Sequence, residues 1–277
     1  MRWTPGGRSP NLEDRRSSSG GLGGGTLGIG GTVVVLALSL LFGRNLFNDI
    51  GVEPAGISQN AAPMTPADSA AEEKEVQFVS FILDDAQNTW HGIMSNQGVA
   101  FHPAKLVLFR NSTDSGCGPA QSAMGPFYCP EDERVYLDLG FFDELSQRFG
   151  ASGDFAQAYV IAHELGHHVQ HLMGTDNRAR QAQESDPSQA NEISVRIELQ
   201  ADCYAGVWGH STNQRRLLEQ GDVDEALNAA SAVGDDRIQQ RTVGRVNVDS
   251  FTHGSAAQRS APFRRGFESG DPRSCNL

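Results

Sequence analysis

The residues Tyr159 to Gly174 read YVIAHELGHHVQHLMG and set four histidines and one glutamate along one short segment. Within it, His163-Glu164-Leu165-Gly166-His167 is an H-E-x-x-H pentapeptide. Residues four apart share a helix face, so both imidazoles can reach one ion. Glu164, one position along, falls beside such an ion, where it can touch an attacking water. Apolar Tyr159, Val160, Ile161, Val169 and Leu172 flank the motif, so the helix is buried and an unliganded charge on it would be costly. His168 points about 100° away from His167, and His171 lies a further turn on; both read as surface residues or as partners of the ligands.

A catalytic zinc takes three protein ligands and keeps its fourth position for water. The segment Glu198-Leu199-Gln200-Ala201-Asp202 offers the third. Glu198 and Asp202 share one helix face beside an apolar stripe of Ile197, Ala201, Tyr204 and Trp208. Two carboxylates there resist burial unless something cationic neutralises them. A metal on Glu198, with a ligand imidazole N–H on Asp202, would do so. The bland alternative is a solvated acidic pair answered by Arg196.

These residues need helices to hold them, and the hydropathy pattern supplies them. Residues 153–173 and 193–210 read as helices, as do 71–94 and 222–232. KLVLFR (105–110) and ERVYLDL (133–139) read as strands. Gly166 lowers helix propensity by about 1 kcal/mol, so a close backbone neighbour is expected there. The resulting class is α+β, mainly helical.

At these motifs the chain resembles the gluzincin-type zinc peptidases, with H-E-x-x-H followed by E-x-x-x-D. More narrowly it resembles the neutral zinc metallopeptidases of bacteria, the YpfJ-like family. The likeness runs through the MRW start, EDRR-SSSGG (13–21), CGPAQSAMGPFYCPEDERVYLDL (117–139) and HELGHHVQ (163–170). It continues through ELQADCYAGVW (198–208), FTHGSAAQR (251–259) and FRRGFESGDP (263–272). It implies a zincin-like domain holding one zinc ion on His163, His167 and Glu198. It also implies hydrolysis of peptide bonds through a zinc-activated water, with Glu164 as general base. Gluzincins place a distant His or Tyr at the oxyanion, which makes His253 the candidate donor; Tyr204 and Arg259 are alternatives. Zincin folds also lay an edge strand above the metal helix, and ERVYLDL is the candidate to pair with extended substrate.

Cys117 and Cys129 frame a Gly/Pro-rich loop and would pair in an oxidising compartment. Cys203 can pair with Cys275, or remain a buried free thiol.

The 277 residues carry a formal charge of −12, which excludes a nucleic-acid partner. Residues 26–43, TLGIGGTVVVLALSLLFG, carry no charge and are near the lower limit for a membrane-spanning helix. Arginines 2, 8, 15 and 16 precede them and acidic residues follow, which by the positive-inside rule leaves the N-terminus in the cytoplasm. The expected organisation is a basic Gly/Ser-rich arm (1–25), a transmembrane signal-anchor (26–43), a flexible linker (44–71) and a metallopeptidase domain (72–277). The chain would be a single-pass protein of the bacterial plasma membrane, its peptidase domain extracytoplasmic and its partner a peptide or protein substrate. The competing class is a non-catalytic, zinc-stabilised envelope adaptor or chaperone. Glu164 separates the two, since a purely structural zinc is closed by four ligands and needs no base.

Overall fold

A small sheet backs the helix that carries the histidines, and the remaining helices wrap its other sides. The computed structural model describes residues 1–17 and 66–276. Strand β1 (Leu12–Asp14) comes first, then helix α1 (Pro66–Asn96) and strand β2 (Lys105–Phe109). Three short strands follow, β3 (Ser112–Ser115), β4 (Gly118–Gln121) and β5 (Phe127–Cys129), then β6 (Arg134–Asp138) and helix α2 (Gly140–Gln147). The rest is helical: α3 (Asp154–Leu172), α4 (Thr175–Ser185), α5 (Ala190–Gln214), α6 (Asp222–Ala232), α7 (Asp235–Thr242) and α8 (Ala256–Ser269). The mainly helical α+β class holds. Among the described residues no helix is long and apolar enough to cross a membrane. The expected anchor at 26–43 lies outside the described residues.

The main sheet has the order β1-β2-β6-β5, with β1, β2 and β6 parallel and β5 antiparallel to β6. Strands β2 and β6 are apolar on both faces because both faces are covered. Leu106, Leu108, Val135 and Leu137 join the core under the helices. Val107, Phe109 and Tyr136 join Cys129 in a second cluster. The Cys117–Cys129 disulfide closes the loop that enters β5, as expected. ERVYLDL, expected at the edge, is interior as β6; the edge belongs to β5.

Helix α3 is buried on nearly every side, which explains why its apolar residues outnumber those of a surface helix. Its N-terminus is capped from outside: the Phe155 N–H donates to Glu225 Oε2 on α6 at 3.0 Å. At Gly166 a Cβ would stand 3.0 Å from the Ala201 carbonyl oxygen, so α3 and α5 touch through backbone, as its cost to the helix implied. Helix α8 lies on α5 still more closely. A Cβ at Gly206 would stand 2.1 Å from the Phe263 oxygen, and one at Gly266 would stand 2.0 Å from the Cys203 oxygen. Only glycine permits that crossing. The Cys203–Cys275 bond then ties the C-terminal turn to α5, so Cys203 is not a free thiol.

The expected organisation sets residues 1–17 apart as an arm. They pack into the domain: β1 pairs with β2, with Leu12 opposite Leu106 and Asp14 opposite Leu108. Met1 is buried, its ammonium 2.5 Å from Asp154 Oδ1. Trp3 stacks edge-on to Phe78 at 5.3 Å. Helix α1 also starts earlier than expected, at Pro66.

Candidate metal centre

Helix α3 supplies His163, Glu164 and His167, and α5 supplies Glu198, at the place where Gly166 lets the two helices meet. One donor atom from each of His163, His167 and Glu198 can be chosen so that all three lie within 4.8 Å of one another. His163 Nε2 is 3.2 Å from Glu198 Oε2, and His167 Nε2 is 3.3 Å from Glu198 Oε1. Tetrahedral ligands about 2.0–2.1 Å from a zinc ion stand about 3.3 Å apart, so the donor set fits that ion in type and spacing.

Both imidazoles are held in the required tautomer. His163 Nδ1 is 2.9 Å from Asp202 Oδ1, so its N–H donates to that carboxylate and Nε2 faces the pocket. Arg259 Nη2 also comes within 3.3 Å of Nδ1, but it is a donor itself and cannot accept that proton. His167 Nδ1 donates to Gln170 Oε1 at 2.8 Å. The Gln170 amide is fixed in turn, its Nε2 donating to the Ile197 carbonyl at 2.8 Å and to Gln200 Oε1 at 3.0 Å.

Asp202 is fully buried and fully satisfied. Besides His163 it accepts from the Tyr159 hydroxyl at 2.5 Å, and from Arg259 Nε and Nη2 at 2.9 Å each. Burial alone would raise this carboxyl, yet Arg259 and His163 hold it below its ordinary value. Burial would likewise depress His163, but Asp202 and Glu198 outweigh it and push the imidazole up to about 10. The pocket therefore favours a positive charge at that ring, which a proton or a divalent cation can supply. Glu198, against its burial, is kept well below the usual carboxylate range by His167 and by hydrogen bonds from both imidazoles. Glu164 is buried, and that burial raises its carboxyl despite the two histidines beside it.

His253 stands on the loop between α7 and α8, half-buried and near enough for its charge to act on Glu198. Asp235, at the start of α7, organises that loop by accepting the N–H groups of Thr252, His253 and Gly254 at 2.8, 2.7 and 3.0 Å. His253 Nδ1 lies 3.2 Å from Asp235 Oδ1, which leaves Nε2 for another partner. Burial would lower this imidazole, but Asp235 and the charge of Glu198 raise it.

Other expectations need correcting. Tyr204 is not at the pocket; it is buried against Trp90, ring centroids 5.0 Å apart, and its hydroxyl faces Met173 Sδ at 3.8 Å. Arg259 is near the pocket, but its Nε and Nη2 are committed to Asp202. His168 is not a surface residue: it is wholly buried, with Nε2 donating to the His102 carbonyl at 2.8 Å and Nδ1 accepting from the Tyr128 hydroxyl at 3.0 Å. His171 pairs with Asp176 at 2.7 Å. Sequence reasoning missed Gln170 and Asp235. Gln170 was open to discovery, since it lies three residues after His167 on the same helix face.

A family model described as "Putative neutral zinc metallopeptidase" matches residues 1–277. The chain belongs to this family. It is 47% identical over 285 residues to YpfJ of Escherichia coli K12, covering 100% of this chain and 98% of that protein. It is 50% identical over 182 residues to Rv2575 of Mycobacterium tuberculosis H37Rv, covering 62% of this chain and 61% of that one. No solved structure matches the chain. Membership in this metallopeptidase family and the His163–His167–Glu198 donor set both point to zinc.

Proposed function

We propose that this protein is a zinc-dependent endopeptidase whose site is built on His163, His167 and Glu198. The observation that carries the reading is the buried Glu164 carboxyl beside a three-ligand pocket. A structural zinc would use four ligands and no neighbouring base. Zinc bound there would act as a Lewis acid toward the scissile carbonyl and the attacking water.

The chain's own groups do the rest. Glu164, its pKa raised by burial, takes the water's proton and returns it to the leaving amine. His253, its Nδ1–H on Asp235 and its charged form favoured by Asp235 and Glu198, offers Nε2–H as an imidazolium to the oxyanion that develops on the carbonyl. Asp202 and Gln170 keep the ligand imidazoles in one tautomer. Strand β5 has no partner on its outer side among the described residues, so an extended substrate can add there as a further strand. The two disulfides favour an oxidising compartment for the catalytic domain, and residues 26–43 supply an apolar segment for membrane attachment.

The test is cleavage of a diverse peptide mixture by the full chain beside its Glu164→Gln variant, with equal metal content shown first. Cleavage by the parent alone is the expected result. Silence from both, with metal bound and fold intact, would reject the peptidase and leave the adaptor reading.

A further inference from the structure

The four arginines that suggested a cytoplasmic N-terminus have partners in the fold. Arg8 pairs with Glu73 of α1 at 2.5 Å and with Asp14 at 2.8 Å. Arg16 pairs with Asp14 at 2.7 Å and with Glu72 of α1 at 2.9 Å. Arg15 reaches Glu13 at 2.8 Å and the Asp114 carbonyl at 3.0 Å. Arg2 reaches Glu219 at 3.5 Å. Arg2, Arg8 and Arg16 thus reach acidic groups outside residues 1–17, namely Glu219, Glu73 and Glu72, while Glu13 and Asp14 answer the arginines from within the segment.

The backbone makes the same point. The Leu106 N–H donates to the Asn11 carbonyl, and the Arg15 N–H donates to the Leu108 carbonyl, each at 2.8 Å. The Arg2 N–H donates to the Leu217 carbonyl at 2.7 Å. Trp3 lies on Phe78 and Phe81, and Leu12 packs against the main core. Residues 1–17 thus complete the edge of β2 and cover an apolar part of α1. A chain that left them behind a bilayer would expose both, and an unpaired apolar strand edge is an aggregation hazard.

We propose that residues 1–17 and the catalytic domain occupy the same compartment, the N-terminal strand being part of the domain and not an arm held across a membrane from it. The inference stands on strand pairing and packing alone, independent of any peptidase activity. It replaces the expected topology, in which a single span separates the two.

Two measurements on the full chain decide it. In the purified protein, hydrogen exchange at the Leu106 and Arg15 amides reads the docking of β1, because each donates across that boundary. Slowing of about 100-fold or more relative to unstructured peptide is expected; exchange at the unprotected rate would overturn the proposal. In intact cells, Arg2→Cys and Arg273→Cys variants, both at exposed side chains, are treated with a membrane-impermeant maleimide. Both sites should react together, either in intact cells or only after permeabilisation. Reaction of one site in intact cells and of the other only after permeabilisation would refute it.

Discussion

Replacing Asp202 by alanine removes one carboxylate and strands three donors. Arg259, 4% exposed, would keep Glu198 at 3.7 Å as its one carboxylate and the Tyr159 hydroxyl at 3.3 Å, while Tyr159 and His163 Nδ1 would lose their acceptor. Leaving a buried charge unpaired costs about 3–5 kcal/mol. The urea midpoint of the metal-free protein should fall accordingly. Zinc affinity, measured by competition with a chelator, should drop about 10–100-fold, because His163 is no longer fixed with Nε2 toward the pocket. The two effects separate in a cycle with Arg259→Met. Removing both partners leaves no orphan charge, so the double variant should recover about 2 kcal/mol or more of the summed loss. Its zinc affinity should stay low, since His163 still lacks its acceptor. Additive destabilisation would refute the ion-pair reasoning, and unchanged zinc affinity in Asp202→Ala would refute the tautomer reasoning.

Other consequences follow from packing and charge. Gly206→Ala puts a methyl 2.1 Å from the Phe263 oxygen, so α5 and α8 must part; a loss of about 3 kcal/mol is expected, and a wild-type urea midpoint would count against the crossing. The Cys203–Cys275 bond closes a separation of 72 residues and Cys117–Cys129 one of 12, so by chain entropy the paired alanine variants should lose about 4 and about 3 kcal/mol respectively. The reverse order in urea unfolding would show that loop closure is not what these bonds supply. Glu75 is pushed up to about 7 by burial, then by Asp143 and Glu72. Between its unfolded value near 4.5 and about 7 the folded state binds more protons, so stability falls as pH rises through that window. Glu75→Gln should therefore raise the melting temperature at pH 8, by an amount worth about 1–2 kcal/mol after allowance for partial exposure, and leave it nearly unchanged at pH 5. Equal shifts at both pH values would exclude this cause.

The sequence carried most of the metal pocket because helical spacing is a local property. His163, His167, Glu198 and Asp202 each follow from i,i+4 geometry on a buried helix, and α3, α5 and α6 lie within a few residues of the expected bounds. The partners that complete the pocket from elsewhere were less legible. Arg259 meets Asp202 only because Gly206 and Gly266 let α8 settle on α5, a tertiary event that no window of sequence displays. Asp235 meets His253 through a loop closure of the same kind. Helix α8 itself was hidden by Pro262 and a polar face, though its capping box, Ser255 with Gln258, was in plain view. Strand β1 was not expected, because the arginines around it were read for their charge alone. Charge and hydropathy count residues, whereas ion pairing depends on where Glu72 and Glu73 stand.

That pairing and the catalytic reading meet at the two edges of one sheet. Among the described residues the sheet ends in the chain's own N-terminal strand β1 on one side and in β5 on the other. Strand β5 is also the one tied to the metal helix, through the Tyr128 hydroxyl on His168. His168 follows the ligand His167 directly but faces the other way, so a single turn of α3 holds the metal pocket and the open strand in one fixed relation. Burial keeps that imidazole down at about 4, so it stays neutral and retains the tautomer that binds both Tyr128 and the His102 carbonyl. A peptide laid along β5 would be placed relative to Glu164 and the ligand set by this side chain together with the β6 pairing and the Cys117–Cys129 bond. His168→Phe, which fills the space without either hydrogen bond, should raise KM for peptide more than it lowers zinc affinity. Equal losses in both would mean that His168 serves the helix alone.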